Sequence, residues 1–245
     1  TSGTAAANLH PAVLEAHHSR TPLLLLTADR PPELQDSGAN QTIDQDGLYG
    51  SAVRSSHTLP EPEPDSRKLR SLRTTLSRAV AKTTATPPGP VHLNVPFRKP
   101  LEPVSIPDDV PSDLEQTARL GVEGRSGPFV RIEPGESRPS DKTTSELSAA
   151  IERASRGLLV AGPQNPDSRT VQALVDLAEA TGFPLLADPL SGLRFGPHVD
   201  DVQILGGYDG YLDAEHVDSW PDADLVIRFG ASPTGNTLQQ YLSNH

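Results

Sequence analysis

The sequence predicts an α/β protein with a parallel sheet in each half, the second a doubly wound, Rossmann-like sheet. Three observations predict it. Short apolar runs, LLLL at Leu23–Leu26 and GLLVA at Gly157–Ala161, have the length and composition of strands buried on both faces. Between them lie segments whose apolar residues recur at helical spacing. The alternation of strand and helix suits parallel pairs joined by right-handed crossovers.

Thr1 to Asn8 (TSGTAAAN) reads as a turn entering a helix, with Ser2 or Thr4 available as a cap and Gly3 letting a ligand approach the backbone. Pro11 either begins the next helix or kinks it. His17 and His18 are adjacent and face different ways. A metal pair would take an i, i+4 spacing, so both read as solvated helix-end residues. After the leucine strand, Thr27 to Arg30 leaves its carboxyl end, and Pro31-Pro32 prevents an immediate return to a ladder. Leu69, Leu72, Leu76 and Val80 mark a helix whose basic residues, among them Arg67, Arg70 and Arg73, read as a solvated face. Pro87 to Pro90 breaks it, and Val91 to Phe97 alternates as a strand, completing a βαβ unit.

From Arg98 to Lys142 the chain is rich in Pro, Asp, Glu, Ser and Gly, with one candidate strand at Pro128–Ile132. This composition suits a connector with little core of its own, giving expected domains at 1–103 and 142–245 around a connector at 104–141. Beyond it come a helix with Leu147, Ala150, Ile151 and Ala154, the strand GLLVA, and a helix from Val171 to Ala178 ended by Gly182. Strands at Phe183–Ala187 and Ala223–Phe229 follow, then a helix with Leu238, Tyr241 and Leu242.

A net charge of −11 argues against nucleic acid or an anionic membrane as partner, since the phosphate attraction would be reversed in sign. The acidity suits a surface screened by a salty cytoplasm, and a GC-rich genome accounts for it equally. With no Cys there is no disulfide framework, which agrees with a reducing cytosol. No apolar run approaches the roughly 20 residues of a membrane span, so a cytoplasmic protein is expected. The absent Met and a first residue already inside a motif lead us to expect a piece of a longer protein.

Arg30 is the leading candidate for chemistry. A guanidinium at the carboxyl end of a parallel strand can hold a carboxylate through two parallel hydrogen bonds, and an ion pair with Asp29 or Asp36 explains it equally from spacing alone. Asn40 and Gln41 follow the small pair Gly38-Ala39, and their amides suit a neutral heterocycle or an oxyanion. An Asx turn is the competing account of Asn40. Gly157–Gly162 lacks the glycine fingerprint of a dinucleotide site, and the scattered acids form no spaced metal triad.

Taken in order, TSGTAAAN, TADRPPELQDSGANQTIDQ (Thr27–Gln45) and ADPLSGLR (Ala187–Arg194) resemble the MenD family, thiamine-diphosphate-dependent carboligases of menaquinone biosynthesis. The resemblance implies the end of a pyrimidine-binding domain followed by a Rossmann-like central domain. It implies thiamine diphosphate and Mg2+ as cofactors, 2-oxoglutarate and isochorismate as substrates, and a homodimer or homotetramer. It gives Arg30 the substrate carboxylate, sets Gln41 beside cofactor and intermediate, and brings Thr4 and Asn8 near the pyrimidine as cofactor-binding residues; Arg30, Asn40 and Gln41 are the expected substrate-binding residues. It also implies that the cofactor's activating glutamate and the metal motif lie outside these residues, so that the piece alone is inactive. Asn236 and Thr237 depart from the family, which generally has a basic residue there; Arg194 is the nearest basic candidate. Two other readings stay open: a carboligase of the acetolactate synthase type, marked by activity on pyruvate, and a non-catalytic α/β module.

Overall fold

A computed structural model describes residues 1–102, 104–133, 135, 137–200, 204–212 and 220–244. The chain divides into two compact α/β units, Thr1–Gly135 and Glu136–His245.

The first unit opens with α1 (Thr4–Ala7) and α2 (His10–His18). Pro11 lies in the first turn of α2, where its missing N–H leaves no bond unmade, so the chain forms two short helices and not one kinked helix. Strands β1 (Leu23–Asp29) and β2 (Ser55–Thr58), helix α3 (Ser66–Thr84) and strand β3 (Pro90–Pro96) follow. All three strands are parallel in the order β1-β3-β2, with Leu23 opposite Pro90 and Asp29 opposite Pro96. Asp65 starts α3 by accepting the N–H groups of Arg67 and Lys68, both at 2.9 Å. Leu25 packs with Val13, Tyr49 and Ala52, while Leu24 leans on the opposite cluster of Ala79, Val91 and Leu93. The expectation of a leucine strand buried on both faces is corrected at Leu26, which is 56% exposed, because neither of the clusters that cover Leu24 and Leu25 reaches it.

Short helices α4 (Leu114–Thr117) and α5 (Arg119–Val122) occupy the Pro- and Asp-rich segment, and α5 docks on α3. Arg73 donates from Nε to the carbonyl of Gly121 at 2.5 Å and from Nη2 to that of Val122 at 2.7 Å. The basic face of α3 is therefore only partly solvated: one of its arginines caps the last carbonyls of a neighbour. Pro128–Ile132 does not form a strand, and the Phe129 N–H goes to the Ser77 hydroxyl at 3.1 Å. Pro103, where the first expected boundary falls, lies outside the described residues.

The second unit contains α6 (Asp141–Arg153), β4 (Gly157–Ala161), α7 (Ser168–Thr181), β5 (Leu185–Ala187), β6 (Ile204–Leu205), β7 (Leu225–Phe229) and α8 (Asn236–Asn244). Its strands are parallel in the order β6-β5-β4-β7, the third-second-first-fourth order of a doubly wound sheet. Successive residues of β4 serve opposite faces. Leu158 and Val160 pack with Tyr208, Leu238 and Tyr241, and Leu159 and Ala161 pack with Leu174, Ala178 and Leu185. Asp167 caps α7 through the Thr170 N–H at 2.8 Å, and Gly182 ends it in the left-handed conformation at φ 65°. No residue of α6 is buried, so its expected apolar face is not a core face within this unit.

In such a sheet the order reverses between β4 and β7, where ligands commonly enter. Here backbone closes that point. The Gly162 N–H donates to the Phe229 carbonyl and the Ala231 N–H to the Pro163 carbonyl, both at 2.9 Å.

Candidate functional site at the first sheet edge

The carboxyl ends of β1 and β3 meet the Asn40–Gln45 loop in a buried polar network. Asn94 Nδ2 donates to Asp29 Oδ2 at 2.7 Å, and Asn94 Oδ1 accepts from Gln45 Nε2 at 2.8 Å and from the Thr27 hydroxyl at 2.9 Å. Thr27 in turn lies 2.7 Å from His92 Nε2, and His92 Nδ1 lies 3.0 Å from the Ser56 hydroxyl. The single Thr27 proton is committed to the Asn94 carbonyl, so His92 Nε2 must carry a proton and Nδ1 must accept from Ser56. A neutral Nε2–H imidazole satisfies every partner.

Burial lowers the His92 pKa from its ordinary value, against a partial opposing pull from the Asp46 charge. The unfolded ring protonates near about 6.5 while the folded ring resists, so acid favours the unfolded chain. Stability from this residue is full above that pH and falls as pH drops below it. The urea midpoint is expected to fall between pH 7 and pH 5, and His92→Gln to flatten that slope. An NMR titration in which the folded His92 ring protonates at its ordinary pH would refute the assignment.

The same network fastens the amino-terminal turn. The Gly3 N–H donates to Gln45 Oε1 at 2.6 Å, and the Gln45 amide donates on to the Ala28 carbonyl at 3.0 Å. Gly3 has φ 63°, and a Cβ there would sit 2.9 Å from the Gln41 carbonyl oxygen, so only glycine fits the contact. Gln41, itself at φ 59°, donates from Nε2 to the Ser2 carbonyl at 3.3 Å. The structure thus brings Gln41 against the turn that begins α1 at Thr4. Neither Ser2 nor Thr4 caps that helix as anticipated, because Gly3 occupies the cap position and no side chain bonds there. Asn8 stands exposed at the other end of α1, with no hydrogen bond to the loop among the described residues.

Arg30 is half-buried, and its Nη2 donates to the Asn40 carbonyl at 3.1 Å. Asp29 does not take the guanidinium: its carboxylate accepts the Arg30 backbone N–H at 2.7 Å and the Asn94 amide. Arg30 and Asn40 line a cavity of about 310 Å³ with Phe97, Arg98 and Lys99. A larger cavity of about 700 Å³ is lined by Asp29, Asp36, Asp44, Asp46, Thr58 and Asn94. The edge therefore has a basic recess and an acidic one. Sequence reasoning missed Gln45, His92 and Asn94, although polar residues at alternate positions of VHLNV were a signal of a buried polar seam in an otherwise apolar strand.

In the second unit, Asp188 is fully buried and accepts the Thr234 N–H at 2.7 Å, the Thr234 hydroxyl at 2.8 Å and the Leu190 N–H at 2.9 Å. Arg194 donates from Nε to the Ala187 carbonyl at 2.9 Å, and its Nη2 stands 3.7 Å from Asp209. Beside it, burial and the Asp209 and Asp188 charges push the Tyr208 phenol up to about 12. Asn236 and Thr237 are the first residues of α8. Among the described residues no three His, Asp or Glu side chains gather as a metal cluster, and no helix is long and apolar enough to cross a membrane.

Residues 128–245 match the family model described as the middle domain of thiamine pyrophosphate enzymes. Over 99% of its length the chain is 59% identical to the 2-succinyl-5-enolpyruvyl-6-hydroxy-3-cyclohexene-1-carboxylate synthase of Natronomonas pharaonis, of which it covers 42%. It is 58% identical to the synthase of the same name from Haloarcula marismortui, also over 99% of this chain and 42% of that one. The Roseiflexus sp. synthase is 45% identical over 99% of this chain and 40% of its own length. Over almost its whole length the chain is thus similar to MenD synthases. It spans about two-fifths of the length of these curated relatives.

Within a MenD-type frame, the acidic recess fits one end of thiamine diphosphate and not the other. Carboxylates accept hydrogen bonds from an aminopyrimidine and attract a cationic ring, whereas four aspartates repel a diphosphate. Asp44 and Asp46, both exposed, would be the residues suited to the ring end.

Proposed function

We propose that the chain supplies the pyrimidine-facing edge and a substrate-carboxylate grip to a MenD synthase that joins the four-carbon unit of decarboxylated 2-oxoglutarate to isochorismate. When bound, thiamine diphosphate with Mg2+ supplies the carbanion chemistry. In this chain, Arg30 holds a substrate carboxylate, with Asn40 fixing the guanidinium through its carbonyl. Gln41, tied to Ser2 beside Thr4, presents its amide to the reacting group without changing protonation state. Asn8 belongs to the wider wall that faces the cofactor's pyrimidine. The working protein is a cytoplasmic homo-oligomer, a dimer or tetramer.

The observation that carries this reading is the Arg30 guanidinium, unclaimed by Asp29 and open to a recess at the carboxyl edge of a parallel sheet. In the intact protein, Arg30→Ala is expected to weaken 2-oxoglutarate or isochorismate use by about 10- to 100-fold in kcat/KM, the loss of a charge-assisted bidentate contact. Steady-state kinetics with each substrate varied in turn measures it. Unchanged kinetics for both would overturn the role of Arg30.

A further inference from the structure

We propose that the recess between β2 and the carboxyl-terminal half of α3 binds an amphipathic organic anion, a small molecule with one acidic end and an apolar body. The inference goes beyond the carboligase reading and uses none of the residues assigned there.

Helix α3 is an anomaly of charge. The chain has 32 acidic residues against 21 basic ones, yet the helix SRKLRSLRTTLSRAVAKTT carries six Arg or Lys and no Asp or Glu. Two of the six are committed: Lys68 pairs with Glu63, and Arg73 caps α5. Arg78 and Lys82 have no carboxylate at ion-pair distance among the described residues. At i and i+4 they stand side by side on the helix surface, where like charges repel. A negative guest between them turns that mutual cost into an attraction.

Both cations line a space of about 370 Å³. Ala81, between them on α3, and Ile132, 46% exposed in the segment after α5, give it an apolar wall, which the alkyl stems of Arg78 and Lys82 can extend. Ser55 and His57, alternate residues of β2, form the polar side. Because β2 is the last strand of its sheet, the N–H groups along its outer side face no strand among the described residues. Inorganic phosphate would satisfy the cations and leave Ala81 and Ile132 hydrated, whereas a neutral alcohol would cover the wall and leave two charges unanswered. A guest with an acidic end and an apolar body answers both, and the space is at the small end of ligand sites.

Fluorescence titration of the intact protein with anilinonaphthalene sulfonate tests this, followed by displacement of the dye with octanoate, octanol or inorganic phosphate. Octanoate is expected to displace it at a concentration at least about tenfold below either control, because each control lacks one half of the recognition. Arg78→Ala and Lys82→Ala are each expected to weaken octanoate about fivefold at low salt, with a smaller effect as salt rises. Ile132→Gln is expected to weaken it about threefold through loss of part of the wall. Arg70→Ala removes an exposed cation of the same helix that does not line the recess, and it is expected to change nothing. All four side chains are exposed, so the variants should keep the parent's urea midpoint. Equal displacement by octanol or by phosphate overturns the proposal, as does full affinity in both Arg78→Ala and Lys82→Ala. A loss in Arg70→Ala as large as in those two would also overturn it, since binding would then follow the charge of the whole helix and not the recess.

Discussion

Asn94→Ala is expected to destabilise the first unit by about 3–5 kcal/mol, the cost of opening a buried polar network at its centre. One substitution removes the donor to Asp29 and the acceptor for both Gln45 and Thr27. Asp29, Gln45 and Thr27 are all buried, so the groups left unpaired stay largely within protein, although water can enter from the cavity that Asp29 and Gln45 line. Urea unfolding followed by circular dichroism gives the number, and a change below about 1 kcal/mol would show that the network is replaceable. Asn94→Asp sharpens the test. It sets a second carboxylate in the place of a donor 2.7 Å from Asp29, and two carboxylates at that range do not both ionise. Its deficit is expected to widen as pH rises from 4 to 8, whereas that of Asn94→Ala stays nearly constant.

Gly162→Ala is the second large effect, expected at about 3 kcal/mol or more in the second unit. A Cβ at this position would lie 1.9 Å from the Ala231 carbonyl oxygen. The obstacle is backbone, so no rotamer change relieves it. Parting the ends of β4 and β7 would break the bonds from Gly162 to Phe229 and from Ala231 to Pro163. Gly207→Ala is the control: it has φ −92° and no heavy atom within 4 Å of the added carbon, so its stability should stay within about 0.5 kcal/mol of the parent. Similar unfolding midpoints for the two variants would contradict the close approach.

Apolar periodicity made much of this fold legible. Strands β1, β3, β4 and β7 and helices α3 and α7 carry enough branched or leucine-rich spacing to declare themselves. Strand β2 does not, because SSHT has no apolar alternation and is recruited by pairing with β3. Two-residue β6 is likewise a product of its neighbour. The exposure of Leu26 and Leu147 depends on what covers them, which periodicity does not encode. At the site, Arg30 and Gln41 stood out through residue type and motif. Their support did not: Gln45 reaches Gly3 across 42 residues and Asn94 reaches Thr27 across 67, pairings that only the folded sheet creates.

The Gly3–Gln45 and Ser2–Gln41 bonds bear on the thermodynamics of recognition. Because these bonds join the turn to the loop within the chain itself, a guest meets a rim whose rotational freedom was surrendered during folding. Association there forfeits little further disorder, so even a few polar contacts on a small molecule can register as usable affinity.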